Sequence, residues 1–149
     1  MFVVFDLDGT LADCTHRLHF IRDFDMDGGN PGAIDWESFY RACVHDKPIV
    51  PVINTLRAIK AAGARVEIWT GRSDLVSSET NSWFVQNAVP LAFMRMRQHG
   101  DHRPDIVLKQ EWLEASDRPP DLVFEDRDRL VQMYRSAGIQ CCQVGAGDY

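Results

Sequence analysis

Asp6 and Asp8 stand two residues apart, directly after the apolar run Phe2-Val3-Val4-Phe5, and are the side chains best placed to do chemistry. Alternate residues of a strand share one side, so both carboxylates emerge together while Leu7 turns into the core. Gly9 then lets the backbone turn sharply. A carboxylate pair at a strand end suits one hard cation and one phosphoryl group, with one acid able to attack phosphorus and the other to move a proton. Three further stretches offer the remaining parts that phosphoryl transfer requires. Thr70-Gly71-Arg72 closes a second apolar strand and presents a hydroxyl and backbone N–H groups to an anion. Asp105 and Lys109 stand four residues apart, on one helix face. That spacing fits a surface ion pair as well as it fits a lysine that neutralises phosphate and nucleophile while the aspartate orients it. Glu125-Asp126 follows a fourth strand, and adjacent acids at a strand end are unfavourable unless a cation joins them.

The elements that must position these groups alternate strand and helix. Apolar periodicity predicts strands at 2–5, 65–70, 91–96, 122–124 and 139–144, with helices at 50–62, 75–88, 105–115 and 128–136. Such repetition predicts an α/β fold: a doubly wound, largely parallel sheet whose site lies outside the carboxyl ends of the strands. Residues 13–49 break the rhythm with short helices near 15–24 and 35–43 and a Gly-rich turn at 27–32. They read as a small cap-like insertion over those strand ends, with Trp36, Phe39 and Tyr40 forming its own core. The whole of 1–149 reads as one domain.

Composition narrows the options. A net charge of −6 argues against tight nonspecific binding of nucleic acid, though it leaves room for a local basic pocket. Cys14, Cys43, Cys141 and Cys142 lack C-x-x-C spacing and read as reduced thiols of a cytoplasmic protein, with Cys141 and Cys142 on a core strand. Cys14, His16 and His19 offer zinc-type ligands, but no second cluster follows at a zinc-like spacing. Asp23, Asp25, Asp27 and Gly28 imitate the start of a calcium loop, yet Ile34 stands where the bidentate Glu belongs. Neither an export signal nor an apolar run of membrane-spanning length is present, so no membrane partner is expected.

The run Val3-Val4-Phe5-Asp6-Leu7-Asp8-Gly9-Thr10-Leu11 resembles the first motif of the haloacid dehalogenase (HAD) superfamily, D-x-D-G-T-[LV] behind an apolar strand. The resemblance implies an Mg²⁺-dependent phosphomonoesterase in which Asp6 forms an aspartyl phosphate. It also implies that Asp8 binds the metal through its backbone carbonyl, leaving its side chain as general acid and base. Thr70 and Gly71 match the second motif. Asp126 aligns as the metal ligand beside Asp6. Many relatives carry Asp where Glu125 stands, which leaves Glu125 between a ligand, a partner of metal-bound water and a bystander.

A closer branch is similar over nearly the whole chain: the 3′-phosphatase domain of bacteriophage polynucleotide kinase/phosphatase. The matching residues are Thr70-Gly71-Arg72, Arg97 before Gly100-Asp101, Asp105-x-x-x-Lys109, Asp126-Arg127, and Gln143-Val144-x-x-Gly147-Asp148-Tyr149. Arg17 stands eleven residues after Asp6, where that branch carries a functional arginine. This similarity implies that Arg17 and Arg72 grip phosphate and that the substrate is a nucleic-acid 3′ end in a bacterial or phage-infected cytoplasm. A deoxynucleoside 5′-monophosphate is the alternative, because residues 18–48, which would wall the leaving group, match poorly. A non-catalytic phospho-acceptor or binding module is a remote third reading. No G-x-x-x-x-G-K-[ST] occurs, so ATP is not an expected partner. Oligomeric state leaves no trace in the sequence.

Overall fold

The computed structural model describes residues 1–21 and 34–145. The acids at 23, 25 and 27, the turn at 27–32 and the motif residues 147–149 lie outside the described residues. Strand β1 (Phe2–Phe5) is fully buried and occupies the middle of a five-stranded sheet. On one side lie β4 (Arg65–Ser73) and then β5 (Phe93–Arg97); on the other lie β6 (Leu122–Glu125) and β7 (Gln140–Gln143). Every pairing in this sheet is parallel. Connections leave β1 in opposite directions across the sheet, so the crevice at its carboxyl end is the switch point where such folds bind ligands.

Side-chain alternation along β1 divides the core into two faces. Val3, Phe5 and Leu7 pack with Ile53 and Leu56 of α2 (Val50–Ala61) and with Trp83 and Phe84 of α3 (Ser77–Gln86). Phe2 and Val4 pack on the opposite face with Trp69, with Trp112 and Leu113 of α4 (Asp105–Glu114), and with Val131 and Tyr134 of α5 (Asp128–Ser136). Even-numbered positions of β1 therefore point to the α4 side. Asp6 continues that register, which is why Lys109 of α4 can reach it.

The fold matches the predicted α/β sheet, with differences at the edges. The third predicted strand starts later, at Phe93, and runs on to Arg97, which pairs with Ser73 across a register shift after Thr70. The last strand is an edge strand, so Cys141 is buried while Cys142 is exposed, not both in the core. The segment between β1 and α2 departs and returns through two strands too short to show a pattern in sequence, β2 (Ala12–Asp13) and β3 (Lys47–Pro48), paired antiparallel. Beyond that stem come a 3₁₀ turn at Thr15–Phe20, helix α1 (Trp36–Arg41) and a second 3₁₀ turn at Ala42–His45. Cys14, Leu18 and Phe39 form a small core of their own there. Trp36 does not join it and remains 42% exposed.

Candidate active site

At the carboxyl end of β1 the chain turns back at once. The backbone N–H groups of Leu11 and Ala12 both donate to the Leu7 carbonyl, and Gly9 takes a φ of 85°, which glycine adopts without steric cost. A cavity of about 380 Å³ opens over this turn, lined by Asp6, Asp8, Thr70, Gly71, Arg72, Asp105, Lys109 and Glu125. The expected site residues therefore converge, from four separate segments. Arg17 and Asp126 complete the set one contact away.

Asp6 is buried, and its Oδ1 accepts from Lys109 Nζ at 2.6 Å. The same ammonium donates to Glu125 Oε2 at 2.8 Å. Burial opposes the lysine charge, but Asp6 and Glu125 outweigh it and hold Lys109 protonated. Burial pushes the Asp6 carboxyl well above its ordinary range; Lys109 pulls it down, and Glu125 and Asp126 push it further up. Oxygens of Asp6, Glu125 and Asp126 lie within 4.8 Å of one another, all buried. Three buried carboxylates against one lysine make an all-oxygen donor set of excess negative charge. Such a set fits a hard divalent cation such as Mg²⁺. Glu125 is already engaged at both oxygens: Oε2 by Lys109, and Oε1 by the backbone N–H groups of Asp126 at 3.1 Å and Arg127 at 3.3 Å. These contacts shape the loop and hold the lysine between the two carboxylates. Asp126 is held by Thr10 Oγ1 at 3.4 Å and by Gln143, whose Nε2 donates to the Asp126 carbonyl at 3.1 Å.

Asp8 lives in a different field. Arg17 Nη2 donates to its Oδ1 at 2.5 Å, and Arg72 Nη2 donates to the same oxygen. Burial would raise this carboxyl, but Arg72 and Arg17 win and hold it far below the usual carboxylate range. The expected uncommitted proton donor is thus an anion clamped by the two arginines expected to grip phosphate. Its side chain stands outside the three-acid cluster.

Behind the arginines sits a residue the sequence reading missed. Asp46 follows the second 3₁₀ turn with its carboxylate wholly buried. It accepts from Arg17 Nε and Nη2, each at 2.8 Å, from Arg72 Nη2 at 2.9 Å, and meets His16 Nε2 at 3.0 Å. Its carbonyl accepts from Trp83 Nε1 at 2.7 Å. Cys14 is buried in the insertion core, and His19 turns back on the His16 carbonyl at 3.0 Å, so the zinc-type residues do not converge.

Around Gly71 the backbone comes close to α4. A Cβ built there would lie 2.3 Å from Asp105 Oδ1, so only glycine permits that approach. Asp105 pairs with Arg97 and, at 3.0 Å, with Arg127 Nη1, not with Lys109 as the helical spacing suggested. Arg97, a motif residue in the sequence with no role assigned, acquires one here: its Nε donates to the Gly71 carbonyl at 2.8 Å, and its Nη1 donates to the carbonyls of Asp101 and Arg103. It ties the end of β4 to the loop between β5 and α4 at the cavity wall. Thr70, fully buried, accepts from the Arg72 backbone N–H at 3.1 Å.

With this arrangement in view, the family model for the polynucleotide kinase PNKP phosphatase domain matches residues 1–149. The chain belongs to that family of HAD phosphatases. By family it is a phosphoric monoester hydrolase. Among solved structures, it is 26% identical to a chain of a Pnkp1/Rnl/Hen1 complex, with a TM-score of 0.75 over 99% of this chain and 46% of that one. A Pnkp1/Rnl/Hen1 RNA repair complex gives 25% identity and a TM-score of 0.77, covering 99% and 43%. The chain spans less than half the length of these relatives. The class C acid phosphatase from Bacillus anthracis shares the fold at 14% identity, with a TM-score of 0.62 over 96% of this chain and 67% of that one. No helix among the described residues is long and apolar enough to cross a membrane.

Proposed function

We propose that this domain removes a 3′-phosphate from a nucleic-acid end by way of an aspartyl phosphate on Asp6, with Mg²⁺ as cofactor. The observation that carries the reading is the division of two carboxylates only two residues apart: Asp6 among acids and a lysine, Asp8 between two arginines. Paired acids in opposite environments are how one site supplies both a nucleophile and a proton-transfer group.

Asp6 and Asp126 would hold Mg²⁺, together with the Asp8 backbone carbonyl, and the cation would supply neutralisation of charge on the transferring phosphate. Lys109 steadies the Asp6 oxygen and adds positive charge where it develops. Arg17 and Arg72 present planar donor forks that fit phosphate oxygens. In this structure Asp8 accepts from both forks. An incoming phosphate competes for them, and the displaced Asp8 carboxyl then takes up a proton, which it delivers to the leaving 3′ oxygen. It next accepts a proton from the water that attacks phosphorus and frees Asp6. Thr70 Oγ1 and the N–H groups beside Gly71 take the remaining oxygens.

The nucleic-acid substrate is supported by the family and by the RNA repair complexes in which the related Pnkp1 chains occur. The segment 13–49 acts as a small cap on the single domain. Phosphate release from a 3′-phosphorylated oligonucleotide and from deoxynucleoside 5′-monophosphates, with Mg²⁺ and with Asp6→Asn as control, tests this. Preference for the oligonucleotide end is expected. Preference for mononucleotides, or turnover by Asp6→Asn, would overturn it.

A further inference from the structure

The cavity has an aromatic wall that the chemistry above leaves unused. Trp36 and Tyr40, one turn apart on α1, stack with ring centroids 5.8 Å apart and planes 28° from parallel. Both line the same cavity as Asp6 and Asp8. Phe39 lies beneath them, edge-on to Trp36 at 5.7 Å and buried in the insertion core. The wall is braced to the reaction centre at two points. Arg17, which holds Asp8, lays its guanidinium over the Phe39 ring at 4.1 Å and donates to the Phe39 carbonyl at 3.2 Å. Tyr40 OH donates to the Gly71 carbonyl at 3.4 Å, the same carbonyl that Arg97 holds. Trp36 itself keeps 42% of its surface exposed.

A half-exposed indole is commonly just one of the apolar groups left on any surface. Here its environment is more specific. Its ring belongs to a stacked pair, its supporting residue touches the arginine of the phosphate grip, and the cavity it lines ends on the attacking carboxylate. Planar π-faces beside a phosphate site are what single-stranded nucleic-acid binders use to seat a base without reading its identity.

Resting on the reading of the site as a nucleotide 3′-phosphatase, we infer that Trp36, backed by Tyr40, is the stacking platform for the base of the nucleotide that carries the scissile phosphate. The platform makes the enzyme tolerant of base identity but dependent on there being a base. It is a specificity device of this chain's insertion, separate from the phosphate grip.

The test uses two short oligonucleotides ending in a 3′-phosphate, one with an ordinary terminal nucleotide and one abasic there. Their binding to Asp6→Asn protein with Mg²⁺ is measured by calorimetry, alone and with Trp36→Ala or Trp36→Phe added. The expected result is that the terminal base improves Kd about tenfold, as one stacked base does, that Trp36→Ala removes this gain, and that Trp36→Phe keeps most of it. Binding of the abasic ligand should be the same with and without Trp36. Equal weakening of both ligands by Trp36→Ala, or no effect on either, would overturn the platform. Turnover by the wild-type chain separates the two claims. Base-dependent binding through Trp36 without hydrolysis would sustain the platform and remove the 3′-phosphatase reading. Hydrolysis of both ligands with equal kcat/KM would sustain that reading and remove the platform.

Discussion

Replacing Asp46 with asparagine should damage this protein twice, in stability and in turnover, although Asp46 is outside the group expected to touch substrate. Its carboxylate is the buried counter-charge of both Arg17 and Arg72, with three hydrogen bonds of 2.8–2.9 Å from their guanidiniums. Asparagine keeps the shape and one acceptor oxygen but removes the charge, leaving two buried guanidiniums facing Asp8 alone. Breaking a buried ion pair from one side costs about 3–5 kcal/mol, and the remaining Asp8 contact places this case near the lower end. That is a large share of the roughly 5–15 kcal/mol that holds a domain together. The arginines would then close on Asp8 and meet phosphate out of position, and a misplacement of about 1 Å costs on the order of 10²-fold in rate. Urea unfolding followed by circular dichroism gives the first quantity. The second comes from kcat and KM for a 3′-phosphorylated oligonucleotide, measured where the variant remains folded. KM should rise as kcat falls, because the same two side chains bind the ground state and position it. A variant within 1 kcal/mol of wild type and within threefold in kcat/KM would refute the claim that Asp46 aims the arginines.

Other consequences are more local. Lys109→Met keeps the length of the side chain but removes the charge between Asp6 and Glu125, and should lower kcat by about 10²–10³-fold as the loss of one charge-stabilising donor does; retention of a tenth of the rate would contradict the assignment. Gly71→Ala puts a methyl group 2.3 Å from Asp105 Oδ1, so the contacts of Asp105 with Arg97 and Arg127 must shift. A loss of about 1–3 kcal/mol in urea unfolding, as overpacking costs, is expected together with reduced activity, and an unchanged midpoint would refute the close approach. Mg²⁺ binding only to the folded state should add about 2.7 kcal/mol at a hundred times its Kd, seen as a raised Tm that chelator reverses and Asp126→Asn lacks. A Tm indifferent to Mg²⁺ would count against the three-acid cluster as its site.

What was legible in the sequence, and what was not, divides along the range of the interactions. Asp6, Asp8, Thr70, Lys109 and Asp126 all stand at strand ends or in a helix's first turns, and a parallel sheet gathers such positions at one edge whatever the details of packing. Local pattern was enough to bring them together. Asp46 was not legible, since its role depends on a four-residue turn placing one carboxylate against arginines 29 and 26 residues away. Arg97 was visible as a motif residue, but its job is to hold carbonyls, and carbonyls carry no sequence signal. For Asp105 the helical spacing to Lys109 suggested a pair, yet Asp6 and Glu125 claim the lysine while Arg97 and Arg127 claim the aspartate. The stem of the insertion escaped notice because two-residue strands have no periodicity to read. Trp36 and Phe39 shared one expectation, as insertion core, and only the fold could send one inward and the other toward the cavity.

The account's central claim is that Asp6 carries the phosphoryl group between substrate and water. Acid quenching of the wild-type protein during turnover of a 3′-phosphorylated oligonucleotide with Mg²⁺, followed by peptide mass spectrometry, tests it most directly. A phosphoryl adduct on the peptide containing Asp6, absent in Asp6→Asn, is the predicted result. Turnover that persists in Asp6→Asn, or an adduct on any other residue, would contradict it.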